Sequence, residues 1–391
     1  RYTISGLGSY LSGLGLKSYR PSQVARWLYQ KGAASLSEMT DLSMDEREML
    51  DRAAYIGHIE FVKSKGSVDT YGLARWNLPS EQRERGGEAP QAPVKSTKRA
   101  RRALRGRLHP ALPVEGATQA PVIDGTRKFL FKLEDGNLIE SVLIPDGDRM
   151  AYCVSTQAGC AMGCRFCLTG KSGLKRNLYP DEIVDQIIFI RGMLSGDAGL
   201  TNIVMMGMGE PLANTENLLK AIDIITHKDG LAISPRRITI STSGIIPGIE
   251  ELGRQKSHIN LAVSLNSTTD EQRSYLMPVN RRYPLQDLIL ALRRYPLPPR
   301  RRITFEYILL KGINDSAEDA IRLAGLVRGI RCKINLIPFN SYPGAAFERP
   351  SDETTIRFQQ ILINRHLTTF IRKSRGGEIS AACGQLGAEA A

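Results

Sequence analysis

The sequence predicts an α/β protein: a partial (β/α)6 barrel carrying a small helical accessory domain at its N-terminal end. Three observations lead there. From Cys153 onward, strand-length apolar runs alternate with helix-length amphipathic segments, the pattern of parallel βα units. Glycines and small polar residues follow several of those runs, where a parallel sheet places its ligands. Before residue 78 the readable periodicity is helical.

The elements follow in order. The accessory domain is expected over residues 1–78. Pro21 suits a first helical turn and 22–30 follows with helical spacing; a second helix covers 45–54, capped by Ser43 or Asp45. Residues 79–122 lack large apolar side chains over 84–95 and then turn basic at Lys98-Arg99, Arg101-Arg102, Arg105 and Arg107. That composition reads as a disordered or RNA-facing insertion. Residues 123–152 read as a β-hairpin, alternating up to an Asp135-Gly136 turn and returning over 138–144. The barrel occupies 153–391. Its strands are predicted at 202–206, 237–241, 260–265, 304–309 and 332–338, and its helices at 181–194, 214–223, 248–253, 285–294 and 317–327.

Length exceeds one ordinary domain, and 42% hydrophobic with 24% charged residues is the composition of a soluble globular chain. No apolar run reaches 18 residues, which argues against a membrane span. Six cysteines in 391 residues are too sparse for a secreted disulfide framework and suit a reducing compartment. A cytoplasmic location is expected, or an organellar one if a targeting segment precedes Arg1, since the chain does not begin with Met. The net charge of +13 gathers at Arg281-Arg282, Arg293-Arg294, Arg300-Arg301-Arg302 and Arg372-Lys373 with Arg375. Such clusters are solvated faces in many proteins; beside the chemistry below they point to RNA phosphates.

Cys160, Cys164 and Cys167 supply three thiolates in eight residues, spaced C-x3-C-x2-C. A closed zinc site needs four ligands, and no second Cys pair exists to complete one. A [4Fe–4S] cluster on three cysteines leaves one iron free for a small molecule. With Phe166 before the last Cys, the motif resembles the signature of radical S-adenosylmethionine (SAM) enzymes, whose free iron binds the amino and carboxylate groups of SAM. Met206-Gly207-Met208-Gly209-Glu210-Pro211 follows a predicted strand. Its glycines admit a ligand close to the backbone, and its carbonyls with the Glu210 carboxylate suit the SAM ammonium. Ser241-Thr242-Ser243-Gly244, Ser264-Leu265-Asn266 and Pro338-Phe339-Asn340 offer polar groups for ribose, carboxylate or adenine, though each alone reads equally as a loop end. Cys153 and Cys383 are surplus to a three-thiolate cluster. Small neighbours make Cys383 a reachable thiol, with Arg372, Lys373 and Arg375 expected to favour its thiolate; Cys332 reads as packing.

The stretch 140–385 resembles the dual-specificity RNA adenine-C2 methyltransferases of the radical SAM class. The resemblance rests on Cys153-Val154-Ser155-Thr156-Gln157-Ala158-Gly159-Cys160, the cysteine triad, Val204 to Pro211, Ser241 to Gly244, Lys333 to Asn340 and Ala381-Ala382-Cys383-Gly384-Gln385-Leu386. It implies methylation of adenine C2 in 23S rRNA at the peptidyl-transferase centre and in tRNA beside the anticodon, with two SAM molecules per turnover. Cys383 would take a methyl from the first. A 5′-deoxyadenosyl radical from the second would remove hydrogen from that S-methyl group, and the carbon radical would add to C2, crosslinking protein and RNA. Glu140 would remove the C2 proton, and Cys153 would resolve the crosslink as a Cys153–Cys383 disulfide. The resemblance assigns SAM contacts to Gly209, Glu210, Ser241, Ser264, Leu265, Asn266 and Asn340, and cluster ligation to Cys160, Cys164 and Cys167. It further implies an electron donor such as flavodoxin or ferredoxin, and a monomer. Departures are Asn266, where members often carry His, and Gly377-Glu378, where an acidic pair is common. The sibling adenine-C8 methyltransferases share these motifs; the ending Ala-Ala-Cys-Gly-Gln-Leu leans toward C2. A non-catalytic RNA-binding scaffold is disfavoured because no cysteine of the set is missing.

Overall fold

The computed structural model describes residues 2–66, 125–146, 149–194, 201–255 and 258–387. The basic insertion expected over 79–122 lies outside the described residues.

Three helices open the chain: α1 (Ile4–Gly13), α2 (Arg20–Arg26) and α3 (Met44–Ala53). Thr3 caps α1 through its side chain, accepting from the Gly6 amide at 3.0 Å. Ser43 caps α3 in a reciprocal capping box with Glu46, which settles the choice between Ser43 and Asp45. Leu7, Leu11, Val24, Met39, Leu42 and Leu50 form a hydrophobic core separate from that of the barrel. Ion pairing joins the two bodies. Arg26 Nε donates to Asp229 Oδ1 at 2.8 Å, Ser22 donates to Asp229 Oδ2 at 3.1 Å, and Gln30 donates to the Lys228 carbonyl at 2.8 Å.

The N-terminal region is not helical throughout. Strand β1 (Glu60–Gly66) pairs antiparallel with β2 (Arg127–Lys132), whose partner residues stand more than sixty positions away. Local periodicity carries no trace of such a pairing; the strand exists because Phe61 finds Phe129, Phe131 and Phe189. The expected hairpin is likewise part of something larger. β2, β3 (Leu138–Asp146) and β4 (Arg149–Cys153) run antiparallel, with Leu130 opposite Glu140 and Val142 opposite Cys153. Because β4 also pairs parallel with β7 (Asn202–Met205), it is the first barrel strand, and the 152/153 division falls inside it. Between them, β5 (Gln157–Gly159) and β6 (Leu174–Asn177) form a two-stranded ribbon that encloses the cysteine loop and α4 (Leu168–Lys171), and α5 (Pro180–Met193) follows.

The barrel then alternates as predicted: α6 (Thr215–Thr226), β8 (Ile238–Thr242), α7 (Ile246–Arg254), β9 (Asn260–Ser264), α8 (Asp270–Leu276), α9 (Leu285–Arg294), β10 (Ile303–Leu309), α10 (Ala317–Leu326) and β11 (Cys332–Pro338). Not legible were α4, β5, β6 and α8, α11 (Asp352–Ile363), and a three-residue strand β12 (Thr369–Ile371) parallel to β11. The ten-stranded sheet runs β1-β2-β3-β4-β7-β8-β9-β10-β11-β12, parallel from β4 to β12 and open at both edges. Every residue of β10 is buried, as expected for a parallel strand covered on both faces.

Candidate active site

Parallel strands share one C-terminal end, and that end collects the chemistry. Cys153 closes β4, Met206 to Glu210 follow β7, Ser241 to Gly244 end β8, Ser264 to Asn266 end β9, and Pro338 to Asn340 end β11. The loop after β7 is laced to the segment after β4: Gly207 N donates to the Val154 carbonyl, and the Met208 carbonyl accepts from Thr156 N at 2.9 Å. A side chain is excluded at Gly209. Its φ is +101°, and an added Cβ would stand 2.5 Å from Gln157 Cβ.

Glu210 is buried. Its Oε2 accepts the Ser243 amide at 2.6 Å and its Oε1 the Leu212 amide at 3.0 Å. Burial raises its carboxyl above the ordinary range, against those same hydrogen bonds. Each oxygen keeps lone pairs for a further donor. Ser264 and Leu265 present carbonyls inward, both bound by Arg273, while Asn340 Nδ2 donates to the Cys383 carbonyl at 3.3 Å. Asn266 adopts a positive φ of 57°, and its amide is committed to the fold, accepting the Ile308 N–H at 2.8 Å. Ser241, on β8, is half-buried.

The triad lies on the loop between β5 and α4. Gly163 takes φ +63°, and a Cβ on Gly170 would press to 3.1 Å on the Cys164 backbone. The Cys160 amide donates to Gly173 and the Cys167 amide to the Cys164 carbonyl. Burial lifts all three thiols, Cys160 to about 12, and Cys164 is lifted further by Cys167 and Cys160. Among the described residues no three acidic, His or Cys side chains converge on a single ion. Three thiols carried on one short loop between β5 and α4 supply the donor set of a [4Fe–4S] cluster with one iron left open.

Cys383 is delivered to this loop by backbone bonds from three directions. Leu168 N donates to the Gly384 carbonyl at 2.8 Å, Thr169 Oγ1 to the Leu386 carbonyl at 2.6 Å, and Gly387 N to Glu140 Oε2 at 3.1 Å. Gln385 braces the turn on the Ser341 carbonyl at 2.8 Å. Cys383 is exposed at the turn. Cys153 is buried, and its thiol is raised by burial and then by the nearby Cys383. Both cysteines are free thiols here. Glu140 is fully buried on β3, with Lys128 Nζ 3.4 Å from Oε2.

Of the basic C-terminal cluster expected to favour the Cys383 thiolate, Arg372 does act in that direction but is outweighed. The thiol is pushed up to about 12 by burial, then by Glu306 and Cys167, with Arg372 working in the opposite direction. Arg375 is spent on the Pro145 carbonyl. Glu306, inside β10, is the carboxylate that sequence reasoning missed. It stands in an apolar run with no local mark of function. Arg273 was also missed. It is fully buried, donates to the carbonyls of Ser243, Ser264 and Leu265, and is lowered to about 10 by burial.

A family model described as the radical SAM superfamily matches residues 154–324, and one described as the ribosomal RNA large subunit methyltransferase N-terminal domain matches 2–56. The dual-specificity RNA methyltransferase RlmN of Pelobacter propionicus is 46% identical, covering 98% of this chain and 94% of its own. That of Syntrophobacter fumaroxidans is 44% identical, covering 99% and 97%. The chain belongs to the RlmN family of dual-specificity RNA methyltransferases. A solved radical SAM methyltransferase from Sphaerobacter thermophilus, 38% identical, superposes with a TM-score of 0.79 over 98% of this chain and 97% of that one. As a member of this family, the protein is a SAM-dependent enzyme using a [4Fe–4S] cluster. No helix among the described residues is long and apolar enough to cross a membrane.

Proposed function

We propose that this enzyme methylates C2 of adenine in 23S rRNA at the peptidyl-transferase centre and in tRNA beside the anticodon, using Cys383 as the methyl carrier. The observation that carries the reading is the place of the Cys383 turn, hydrogen-bonded to the cysteine-loop side through Gly384 and Leu386 and to Glu140 through Gly387. Cys160, Cys164 and Cys167 would hold the cluster, which when bound supplies the electron that cleaves SAM to a carbon radical. Gly209, Glu210, Ser241, Ser264, Leu265, Asn266 and Asn340 are assigned to SAM: Gly209 by the space it leaves, Glu210 by its remaining lone pairs, Asn266 by fixing the strand end.

The chain's own groups account for the rest of the reaction. The Cys383 sulfur, having given up its proton, attacks the methyl carbon of the first SAM; an S–CH3 bond forms as the sulfonium C–S bond breaks and S-adenosylhomocysteine leaves. Once its methyl carbon is bonded to adenine C2, Glu140, held by Lys128 and the Gly387 amide, takes the C2 proton. The Cys153 sulfur then attacks Cys383: a disulfide forms, the S–C bond to the RNA adduct breaks, and the proton lost by Cys153 ends on the released carbon, completing the methyl group, while the odd electron left by radical addition would return to the cluster. Residues 1–78 and the basic 79–122 segment are assigned to RNA contact, the 123–152 strands to carrying Glu140, and 153–391 to chemistry. We further assign a monomeric, cytoplasmic enzyme fed by a flavodoxin or ferredoxin.

The test is anaerobic turnover of the reconstituted enzyme with methyl-deuterated SAM, reductant and 23S rRNA fragments or tRNA, followed by nucleoside mass spectrometry. Labelled 2-methyladenosine is expected. Labelled 8-methyladenosine would transfer the protein to the sibling activity, and neither product from either RNA would reject the reading.

A further inference from the structure

The cysteine loop has two sides, and the reaction uses one. Cys167 faces the Cys383 turn, where Gly384 lies against the backbone of Phe166 and Cys167 and its carbonyl accepts from Leu168 N. Cys164 lines a different space, a pocket of about 390 Å³ shared with Gly163, Arg165, Lys171, Tyr275 and Phe347. Gly163 and Arg165, the neighbours of Cys164, are both exposed, so this cluster ligand lies just beneath the outer surface. The rim is cationic. Arg165 stacks 4.1 Å over the half-exposed Tyr275 ring, and Lys171 lies 5.0 Å over Tyr342 and donates to the Gly344 carbonyl. Neither has a carboxylate partner among the described residues. Pro278, near Gly163, opens the turn that carries the exposed Arg281 and Arg282.

We propose that this pocket is the docking surface for an acidic one-electron carrier protein, which delivers its electron to the cluster through the Cys164 side while RNA occupies the Cys383 side. Unpaired cations around a thinly covered redox ligand complement an acidic partner and steer its approach. Tyr275 under Arg165 offers a flat conjugated contact at the centre. In the transfer the carrier loses one electron and the cluster gains it; no bond is made or broken. The inference rests on the cluster assignment above but not on the identity of the methylated carbon.

The test compares reconstituted holoenzyme with an R165E/K171E variant, following cluster reduction anaerobically by absorbance and EPR, with reduced flavodoxin or with dithionite. The flavodoxin rate should fall about tenfold or more at low salt, with the gap narrowing as salt rises. The dithionite rate and the affinity for a 23S rRNA fragment should stay unchanged. Equal flavodoxin rates would overturn the inference, and an RNA affinity that falls in step with reduction would give the surface to RNA. Should dithionite reduction also fall, the milder R165Q/K171Q pair, with dithionite reduction intact, must still show salt-dependent slowing with flavodoxin; no slowing there overturns the inference. RNA product is not read, so failure of the proposed methylation leaves this result interpretable.

Discussion

At the scale of single residues, the site is a division of labour among thiols that differ in surroundings rather than in chemistry. Cys383 is exposed on its turn, Cys153 is buried at the end of β4, and Cys332 is buried at the start of β11. Cys383→Ala should keep the cluster and still cleave SAM slowly, yet give no methylated RNA. Retained RNA methylation by this variant would remove Cys383 from the pathway. Cys153→Ala should accumulate covalent protein–RNA adduct, visible as a slow band on a denaturing gel. Glu140→Gln keeps the shape of the side chain while removing its charge and its capacity to take a proton. It should trap the same adduct by blocking the earlier step, with RNA methylation down about a hundredfold or more. The cysteines were legible because metal and sulfur chemistry fixes their spacing. Glu306 and Arg273 were not, because a carboxylate in an apolar strand or an arginine on a short helix acquires meaning from what folds against it.

At the scale of elements, the barrel depends on loops that bring backbone close to backbone. Gly209→Ala forces a Cβ into Gln157 at a φ that side chains avoid. It should cost about 1–3 kcal/mol and weaken SAM binding, read as a lower Tm and a raised SAM dissociation constant. Long strands with sustained apolar runs, such as β10 and β11, stood out in the sequence within a residue or so of their ends. β1 and β12 did not. β12 is only three residues long, β1 alternates weakly and is mostly exposed, and each is fixed by a partner distant in sequence: β1 by β2, β12 by β11. Pairing at that range leaves no period in the strand itself.

At the scale of the molecule, two cores are joined by polar pairs and by Tyr29, which packs against both. Asp229 is buried and held below its ordinary carboxyl range, despite that burial, by Arg26 and Ser22. Asp229→Ala should loosen the accessory domain by about 1–2 kcal/mol, read as faster protease cleavage between the domains. Asp185, on α5 beside the same interface, behaves oppositely: burial and then Asp181 raise it to about 8. The folded state therefore holds this proton more tightly than the unfolded chain. Its contribution is full at pH below about 4 and is lost as pH rises through about 8. Asp185→Asn should flatten the wild-type fall in Tm over that window; an unchanged slope would discount the site. Domain order was readable from composition, whereas the seam between the domains depends on pairs two hundred residues apart.

The central claim is that a methyl group passes through Cys383. The enzyme should be given methyl-deuterated SAM anaerobically without RNA, digested, and its peptides mapped by mass spectrometry. A trideuteromethyl group on the Cys383 sulfur, lost when RNA and reductant are added, is the predicted result. Label on another residue, or an unlabelled Cys383 in enzyme that then methylates RNA, would contradict it.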